Sequence, residues 1–176
     1  TNVWICNYSD ATLTVLAVAD GSEIAGSPFV ALTNSAAIAF DGTHLWVTSE
    51  DGDTVTKHLP ATGAILGIYP TGAFPQVPAV DGTYVWIPNR DDNTVTKLLA
   101  ATGALVGLYA AGNASYGAAF DGTSIWLANS GAGTATKLTP SAVLAGLVDG
   151  QASVVAVNAP YGSAEFYCDG INWHSR

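Results

Sequence analysis

The amino-acid sequence predicts an all-β fold, a β-propeller of about four blades built from four-stranded repeats of about 40 residues. Charged residues make up only 11% of the chain, against the ~25% usual for soluble domains. The tripeptide Asp-Gly-Thr recurs with a period of 40 residues. Between its copies, short runs of β-branched and aromatic residues alternate with turn-forming residues, as is typical of antiparallel strands.

Several landmarks repeat in register. Asp-Gly-Thr begins at positions 41, 81 and 121, and an apolar triplet centred on tryptophan follows at positions 46, 86 and 126. Thr-Val-Thr-Lys begins at positions 54 and 94, and Thr-Ala-Thr-Lys at position 134. An offset of 42 residues places Val3-Trp4-Ile5 on Leu45-Trp46-Val47. We therefore expect the given chain to begin inside one repeat and, from the likeness of residues 161–164 to residues 116–119, to end inside another.

The second repeat shows how each element is predicted. Its strands are expected at about residues 35–40, 44–49, 54–59 and 64–69, with Asp41-Gly42 as a hairpin signal between the first two. The first strand is rich in alanine, which suits a crowded central axis, and the tryptophan of the second strand suits the wider space between blades. A helical solenoid would need longer amphipathic stretches, which glycine and β-branched residues interrupt here.

This spacing divides the single propeller domain into five segments. Residues 1–28 form a partial blade, 29–71 and 72–112 form complete blades, 113–160 form a degenerate blade, and 161–176 supply one or more closing strands. The closing strand would pair with the N-terminal segment and complete a composite blade, within the chain or between chains. A third alternative is that the four blades belong to a longer propeller.

The two cysteines both fall in the composite blade. Cys6 and Cys168 are expected on adjacent strands, where a disulfide would close a loop of ~160 residues. Two buried free thiols are the alternative. Two cysteines, no methionine and the sequons Asn7-Tyr8-Ser9 and Asn113-Ala114-Ser115 favour an extracellular or cell-surface setting.

Charge and hydropathy exclude some classes of partner. The net charge of -9 and pI near 4.3 would repel a phosphate backbone or an anionic membrane surface. No apolar run reaches the ~18 residues of a membrane span. We expect neither nucleic-acid binding nor membrane insertion.

The repeat unit, Asp-Gly-Thr-x-apolar-Trp-apolar followed by Thr-Val-Thr-Lys and Ala-Thr-Gly, resembles bacterial propellers of the streptogramin (virginiamycin B) lyase-like, NHL and YVTN superfamily. The resemblance covers nearly all of the chain and implies the propeller fold. Enzymes of the lyase type use His and Glu with Mg²⁺ on one propeller face. No matching His and Glu pair occurs at equivalent positions here, so the resemblance supplies no catalytic residues.

Acidic residues cluster in the turns between the second and third strands. Asp51, Asp53, Asp91 and Asp92 could converge on one rim and hold Ca²⁺ or Mg²⁺ through carboxylate oxygens. The equivalent turn at residues 130–133 is uncharged, and Asp, Asn and Gly are good turn formers. Solvated turns are therefore the alternative, and we expect no cofactor unless this rim binds a metal.

Aromatic and amide residues near the loops between blades are the candidate ligand-binding residues. Together they could line a shallow site for a glycan or a peptide: Tyr69, Phe74, Gln76, Tyr109, Asn113, Tyr116 and Tyr161. The alternative is that these rings seal contacts between blades.

The sequence thus favours a non-enzymatic extracellular module with a structural or binding role. Its partners would be a small polar ligand or further copies of itself, assembled through strand complementation at the termini. The alternative is a metal-dependent lyase or hydrolase of the streptogramin-lyase-like type.

Overall fold

Each repeat folds as an antiparallel sheet whose strands follow one another along the chain. The computed structural model describes residues 2–139 and, beyond them, only the backbone of four short strands. The first blade consists of β1 (Asn2–Asn7), β2 (Thr12–Ala17) and β3 (Phe29–Val30). The second blade consists of β4 (Ser35–Phe40), β5 (Leu45–Ser49), β6 (Thr54–His58) and β7 (Ile65–Pro70).

The next two sheets repeat this order. The third blade consists of β8 (Ala79–Val80), β9 (Tyr84–Asn89), β10 (Thr94–Leu99) and β11 (Leu105–Ala110). The fourth blade consists of β12 (Ser115–Phe120), β13 (Ile125–Asn129) and β14 (Thr134–Leu138). The prediction of an all-β propeller of about four blades is confirmed. The described residues contain no helix long and apolar enough to cross a membrane.

The predicted strands of the second repeat agree with the observed ones to within one residue at each end. One boundary differs from the prediction. Phe29 and Val30 pair with β2 and so belong to the first blade, whereas the sequence assigns them to the second. The Phe29 ring also stacks on the Trp4 ring of the same blade, with ring centroids 5.6 Å apart.

The aspartate of each Asp-Gly-Thr holds its hairpin and the following tryptophan. In the third blade, Asp81 Oδ1 accepts hydrogen bonds from the backbone N–H groups of Thr83 (2.9 Å) and Tyr84 (2.7 Å). Its Oδ2 accepts a 2.8 Å bond from the Trp86 indole nitrogen. Gly82 has a φ of 91°, a left-handed conformation that glycine adopts without steric cost. The same three bonds occur at the aspartates of positions 41 and 121.

The tryptophans of the second strands fill the space between consecutive blades, as predicted for two of the three. Trp46 is buried against Val85 and Ile87 of the third blade, and Trp86 against Ile125 and other apolar residues of the fourth. These contacts form the apolar core of residues 2–138, which lies between the sheets. In the fourth blade, however, Trp126 is 41% exposed.

Polar contacts also join neighbouring blades. The Lys57 ammonium group lies 5.2 Å from the centre of the Trp46 ring, and it donates hydrogen bonds to the carbonyls of Ala100 (2.7 Å) and Ala101 (3.0 Å) in the third blade. A buried lysine is tolerated here because these acceptors replace its water ligands. Tyr69 of β7 lies against Gly103 in the same turn of the third blade.

Residues 139–176 form a second unit. Within it, β15 (Val157–Ala159) pairs with β16 (Gly162–Ala164), and β17 (Phe166–Cys168) pairs with β18 (Trp173–Ser175). The sequence predicts that residues 161–176 close a composite blade with the N-terminal segment. That prediction lies outside what the described residues show. Cys6 has no disulfide partner among the described residues, and burial raises the pKa of its thiol to about 12. The Cys168 side chain is outside the described residues, so the disulfide stays a prediction.

Candidate functional site at the upper rim

The turns between second and third strands lie at one end of the blades, together with the loops that join consecutive blades. Backbone hydrogen bonds connect them: Arg90 N–H donates to Phe74 O (3.1 Å), and Glu50 N–H donates to Asn34 O (3.1 Å). We call this end, formed by residues 8–11, 50–53, 90–93 and 130–133 with loops 31–34, 71–76 and 111–114, the upper rim.

One position of the repeat changes its chemistry from blade to blade at this rim. The strands β1, β5, β9 and β13 are equivalent in the four blades, and they end at Asn7, Ser49, Asn89 and Asn129. Each of the three asparagines ties its strand to the next one. Asn89 Nδ2 donates to the hydroxyls of Thr94 and Thr96, and Asn7 and Asn129 make the equivalent bonds. The next residue in each blade is unlike the others: Tyr8, Glu50, Arg90 and Ser130.

The side chains of Tyr8, from the first blade, and Gln76, from the loop at residues 71–76, both contact Glu50 of the second blade. Its Oε2 accepts a 3.0 Å hydrogen bond from the Tyr8 hydroxyl, and its Oε1 accepts a 2.7 Å bond from Gln76 Nε2. Glu50 is 9% exposed and Gln76 is 1% exposed, whereas Tyr8 is 43% exposed. The buried carboxylate is thus satisfied by protein donors, and it holds the Tyr8 ring in place at the surface.

Arg90 occupies the same rim beside this group. Its guanidinium carbon lies 3.7 Å from the centre of the Phe74 ring, and its Nε donates a 2.8 Å bond to Asp91. No described residue forms a hydrogen bond with its two terminal nitrogens, and the side chain is 36% exposed. Cation–π contact and the ion pair therefore orient the guanidinium while its outer edge stays open to solvent.

The pKa shifts show that these groups share one electrostatic environment. The hydrogen bond to Glu50, with its negative charge, raises the pKa of Tyr8, and the charge of Arg90 partly offsets this. The pKa of Arg90 is raised first by its hydrogen bond to Asp91 and further by the negative charges of Asp91 and Glu50. Tyr116 is 50% exposed and is the second residue of β12 in the fourth blade. Groups from the first three blades and the loop at residues 71–76 thus form the site.

The backbone at Phe74 is in a conformation that phenylalanine seldom adopts. Its φ is 59°, in the left-handed region, and the equivalent residues Asn34 and Ala114 have φ values of 56° and 50°. The loop imposes this conformation, because Asp53 Oδ1 accepts the Phe74 N–H at 2.9 Å. A bulky residue there costs about 1 kcal/mol or more, whereas the conformation itself belongs to the repeat.

Two of the other residues predicted to bind ligand are engaged in contacts between aromatic rings. Tyr69 and Tyr109 pack on Trp46 and Trp86, with ring centroids 5.6 and 5.7 Å apart, which is the sealing role that the sequence left open. Asn113 lies at the upper rim and is exposed. Tyr161 lies outside the described residues.

The four acidic residues proposed as metal ligands have protein partners. Asp53 accepts the Phe74 N–H, Asp92 Oδ2 accepts the Ala73 N–H at 2.6 Å, and Asp91 pairs with Arg90. Asp51 accepts a hydrogen bond from the Asn34 amide. Among the described residues, no group of three or more His, Cys, Asp or Glu side chains is placed to hold a metal ion.

Of the residues that the sequence predicts to bind a ligand, Phe74, Gln76, Asn113 and Tyr116 lie at or next to the upper rim, and the prediction does not include Tyr8, Glu50 or Arg90. A signal for the missing three was present in the repeat alignment. Positions 8, 50, 90 and 130 directly follow a structurally matched residue, yet they carry four unlike polar side chains. The fold therefore does not require one residue type at these positions.

The sheets and the rim define the chain as a repeat protein of the β-propeller class. No protein-family profile matches the sequence. No curated protein is significantly similar to it in sequence.

Solved structures resemble it in fold. The hydrazine synthase of Kuenenia stuttgartiensis superimposes with a TM-score of 0.68 at 14% identity, covering 99% of this chain and 58% of that one. A functionally unknown protein from Desulfotomaculum acetoxidans DSM 771 gives a TM-score of 0.65 at 12% identity, covering 92% of this chain and 63% of that one. The computationally designed Ika4 protein gives 0.62 at 16% identity, covering 74% and 81%. The chain thus spans 58% and 63% of the first two, and identities this low show the fold alone.

Proposed function

We propose that the protein is a non-enzymatic binding module whose upper rim binds a neutral, hydroxyl-rich ligand of the saccharide class. The observation that carries the proposal is the set Tyr8, Glu50 and Arg90, at equivalent positions of three blades, in one electrostatic environment. The residue that precedes each of them serves the fold where it is asparagine, whereas these three side chains differ in chemistry and lie at the rim.

The chemistry of the rim favours a saccharide over charged ligands. The protein carries a net charge of -9, which disfavours an anion, and Arg90 is already paired with Asp91 at 2.8 Å. Arg90 in turn disfavours a cation beside it. Planar polar groups that can accept and donate, next to the exposed rings of Tyr8 and Tyr116, suit a neutral ring bearing hydroxyl groups.

An extracellular or surface location is part of this proposal. Of the two sequons, Asn113 is exposed at the rim, whereas the Asn7 amide is held by Thr12 and Thr14 at 3.0 and 2.8 Å. Glycosylation at Asn7 would break those bonds. We infer that Asn113 is the site available to a glycosyltransferase. Membership of the streptogramin-lyase-like superfamily and the metal-dependent lyase activity remain alternatives that the experiment below also tests.

A panel of neutral and sialylated oligosaccharides, followed by calorimetry on the best neutral ligand, tests the binding function. We expect Glu50→Gln and Arg90→Leu to weaken binding about tenfold each, equivalent to about 1.4 kcal/mol. Thr83→Ala, in an exposed hairpin at the opposite end of the third blade, should bind as the wild type does. Absence of binding to every neutral saccharide, or equal affinity in all three variants, would overturn the proposal. Ligand turnover that stops on adding a chelator would favour the lyase alternative.

A further inference from the structure

Both carboxylate oxygens of Glu50 accept hydrogen bonds from protein donors. Oε2 accepts the Tyr8 hydroxyl at 3.0 Å, and Oε1 accepts Gln76 Nε2 at 2.7 Å. Glu50 is 9% exposed, whereas Tyr8 is 43% exposed. The solvent-facing group of this cluster is therefore the Tyr8 phenol, and the buried carboxylate sets its orientation.

The amide of Gln76 determines which way these hydrogen bonds run. Its nitrogen lies 2.7 Å from Glu50 Oε1, and 3.5 and 3.4 Å from the backbone carbonyl oxygens of Phe74 and Pro75. All three neighbours are acceptors, so the nitrogen of the amide, and not its oxygen, must face Glu50. Oε1 of Glu50 is thereby bonded to Gln76, which leaves Oε2 for Tyr8.

The Tyr8 hydroxyl consequently has one polarity toward solvent. A carboxylate carries no hydrogen, so the single hydrogen of the phenol is donated to Glu50. The oxygen of that hydroxyl keeps a lone pair that can accept a hydrogen bond from outside. The bond to Glu50 is also the largest cause that raises the pKa of Tyr8, because it stabilises the neutral, donating form. Tyr8 thus offers an acceptor and no donor.

Arg90, in the third blade, offers the opposite polarity. Its Nε is bonded to Asp91 at 2.8 Å, and the Phe74 ring lies against the guanidinium. Its two terminal nitrogens have no hydrogen-bond partner in the part of the chain that the structure describes, and a guanidinium can only donate. The charge of Arg90 partly offsets the rise in the Tyr8 pKa that the Glu50 hydrogen bond causes. The rim therefore combines an acceptor in one blade with donors in another.

We propose that the upper rim selects the acetamido group of an amino sugar, and that Glu50 is the positioning residue that sets this selectivity through Tyr8. This selectivity rests on the saccharide-binding function proposed above and narrows its ligand class. A secondary amide carries its N–H donor and its C=O acceptor at separate atoms in one rigid plane. The N–H fits the Tyr8 oxygen, and the C=O fits the donors of Arg90. The group is also uncharged, which suits a protein with a net charge of -9.

A sugar hydroxyl does not distinguish the two polarities. It donates and accepts through one freely rotating group, so it can bond to a rim of either polarity. An amide cannot exchange its donor and its acceptor. A preference for an acetamido group over a hydroxyl therefore reports the polarity of the rim, and reversing the Tyr8 hydroxyl should abolish it.

Glu50→Gln reverses the hydroxyl with almost no change in the shape of the side chain. The nitrogen of Gln76 can only donate, so the oxygen of the new amide must face it and the nitrogen of the new amide must face Tyr8. The Tyr8 oxygen then accepts a hydrogen bond, and its hydrogen turns outward. Asp51→Asn is the matched control, because it removes the same charge from the same rim but no hydrogen bond to Tyr8.

Calorimetry with matched pairs of sugars tests the selectivity. The methyl glycosides of glucose and galactose are compared with those of their 2-acetamido derivatives, which differ from them only in the acetamido group. The wild type and Asp51→Asn should bind the acetamido form of at least one pair about tenfold more tightly than the hydroxyl form. Glu50→Gln should bind the two forms alike.

Ultraviolet titration of the Tyr8 phenol tests the positioning role without any ligand. The signal of Tyr8 is identified by its loss in Tyr8→Phe. Glu50→Gln should lower the pKa of Tyr8 toward its ordinary value of 10.0, and by more than Asp51→Asn does, because the hydrogen bond to Glu50 is the largest cause of the rise. Circular dichroism verifies that each variant is folded.

The possible outcomes separate selectivity from saccharide binding itself. Sugars that bind without preference for the acetamido form, or a preference that survives Glu50→Gln, would overturn the selectivity and leave saccharide binding standing. Absence of binding to every sugar, or binding of an N-acetylated dipeptide amide in place of all of them, would overturn both. A Tyr8 pKa that Glu50→Gln does not lower would overturn the positioning role of Glu50 whatever the sugars show.

Discussion

The phenol ring of Tyr69 in the second blade lies directly against Gly103 in the third. The glycine closes the turn between β10 and β11 with a φ of 78°, and its missing side chain leaves the space that the ring fills. Tyr69 packs at the same time on Trp46, with ring centroids 5.6 Å apart. One glycine thus serves both the turn and the contact between blades, which explains why Ala-Thr-Gly recurs in the repeat.

Gly103→Ala is expected to destabilise the protein by about 2–4 kcal/mol, because the added methyl group would overlap the Tyr69 ring and alanine disfavours a positive φ. Urea unfolding followed by tryptophan fluorescence measures the loss. Gly82→Ala is the control for the backbone effect alone, since its φ is 91° and nothing lies within 4 Å of the new side chain. Equal losses in the two variants would contradict the packing role of Gly103.

Asp81→Ala is expected to cost about 2–3 kcal/mol, because it removes the acceptor of the buried Trp86 indole and of two backbone N–H groups. The free energy of unfolding in urea measures this cost. Asp10→Ala removes an exposed aspartate with no side-chain hydrogen bond among the described residues, and it should change stability by less than about 0.5 kcal/mol. A loss at Asp10 as large as that at Asp81 would show that the tryptophan bond is not the cause.

The fold was predictable because its signals are local. The Asp-Gly turns, the strand residues and the tryptophans each lie within a few residues of the structure they determine, and the repeat presents them several times. The contact of Tyr8 with Glu50 joins residues 42 positions apart, so no local pattern contains it. The same holds for Tyr69, whose position near a loop suggested ligand binding, whereas a glycine of the next blade receives its ring.

The acidic turn residues show a second reason why the site was harder to predict than the fold. Aspartate in a turn fits a metal ligand, a solvated side chain and a hydrogen-bond acceptor equally well in sequence. Only the backbone path brings Asp53 to the N–H of Phe74, and Asn93 to the N–H of Ala114 at 2.8 Å. These two bonds lie at equivalent positions, which indicates that they serve the repeat.

Asp53→Asn is expected to keep the wild-type stability, since Asn93 makes the same bond one blade later. Asp53→Ala loses the acceptor of the Phe74 N–H and should be less stable by about 1 kcal/mol. Thermal unfolding of all three proteins with millimolar calcium or with a chelator measures both effects. A rise in melting temperature with calcium that Asp53→Asn removes would instead support a metal site at the upper rim.

The buried imidazole of His58 is expected to make the protein less stable in mild acid. Burial lowers the pKa of His58 below its ordinary value of 6.5, because the charged ring would lose its water, and the bond to the Gly63 carbonyl only partly compensates. The unfolded chain therefore binds this proton more tightly than the folded one. The stabilisation is complete above about pH 6.5 and declines as the pH falls below that value.

His58→Leu should remove this part of the pH dependence, since leucine already occupies the equivalent positions 98 and 138 of the repeat. Urea unfolding of both proteins at a series of pH values between about 5 and 8 gives the two slopes. Leu66→Ser changes an exposed residue that carries no titratable group, so it is the control and should keep the wild-type slope. If His58→Leu kept that slope as well, the acid sensitivity would have to arise from other groups, and the burial of His58 would not be coupled to proton binding.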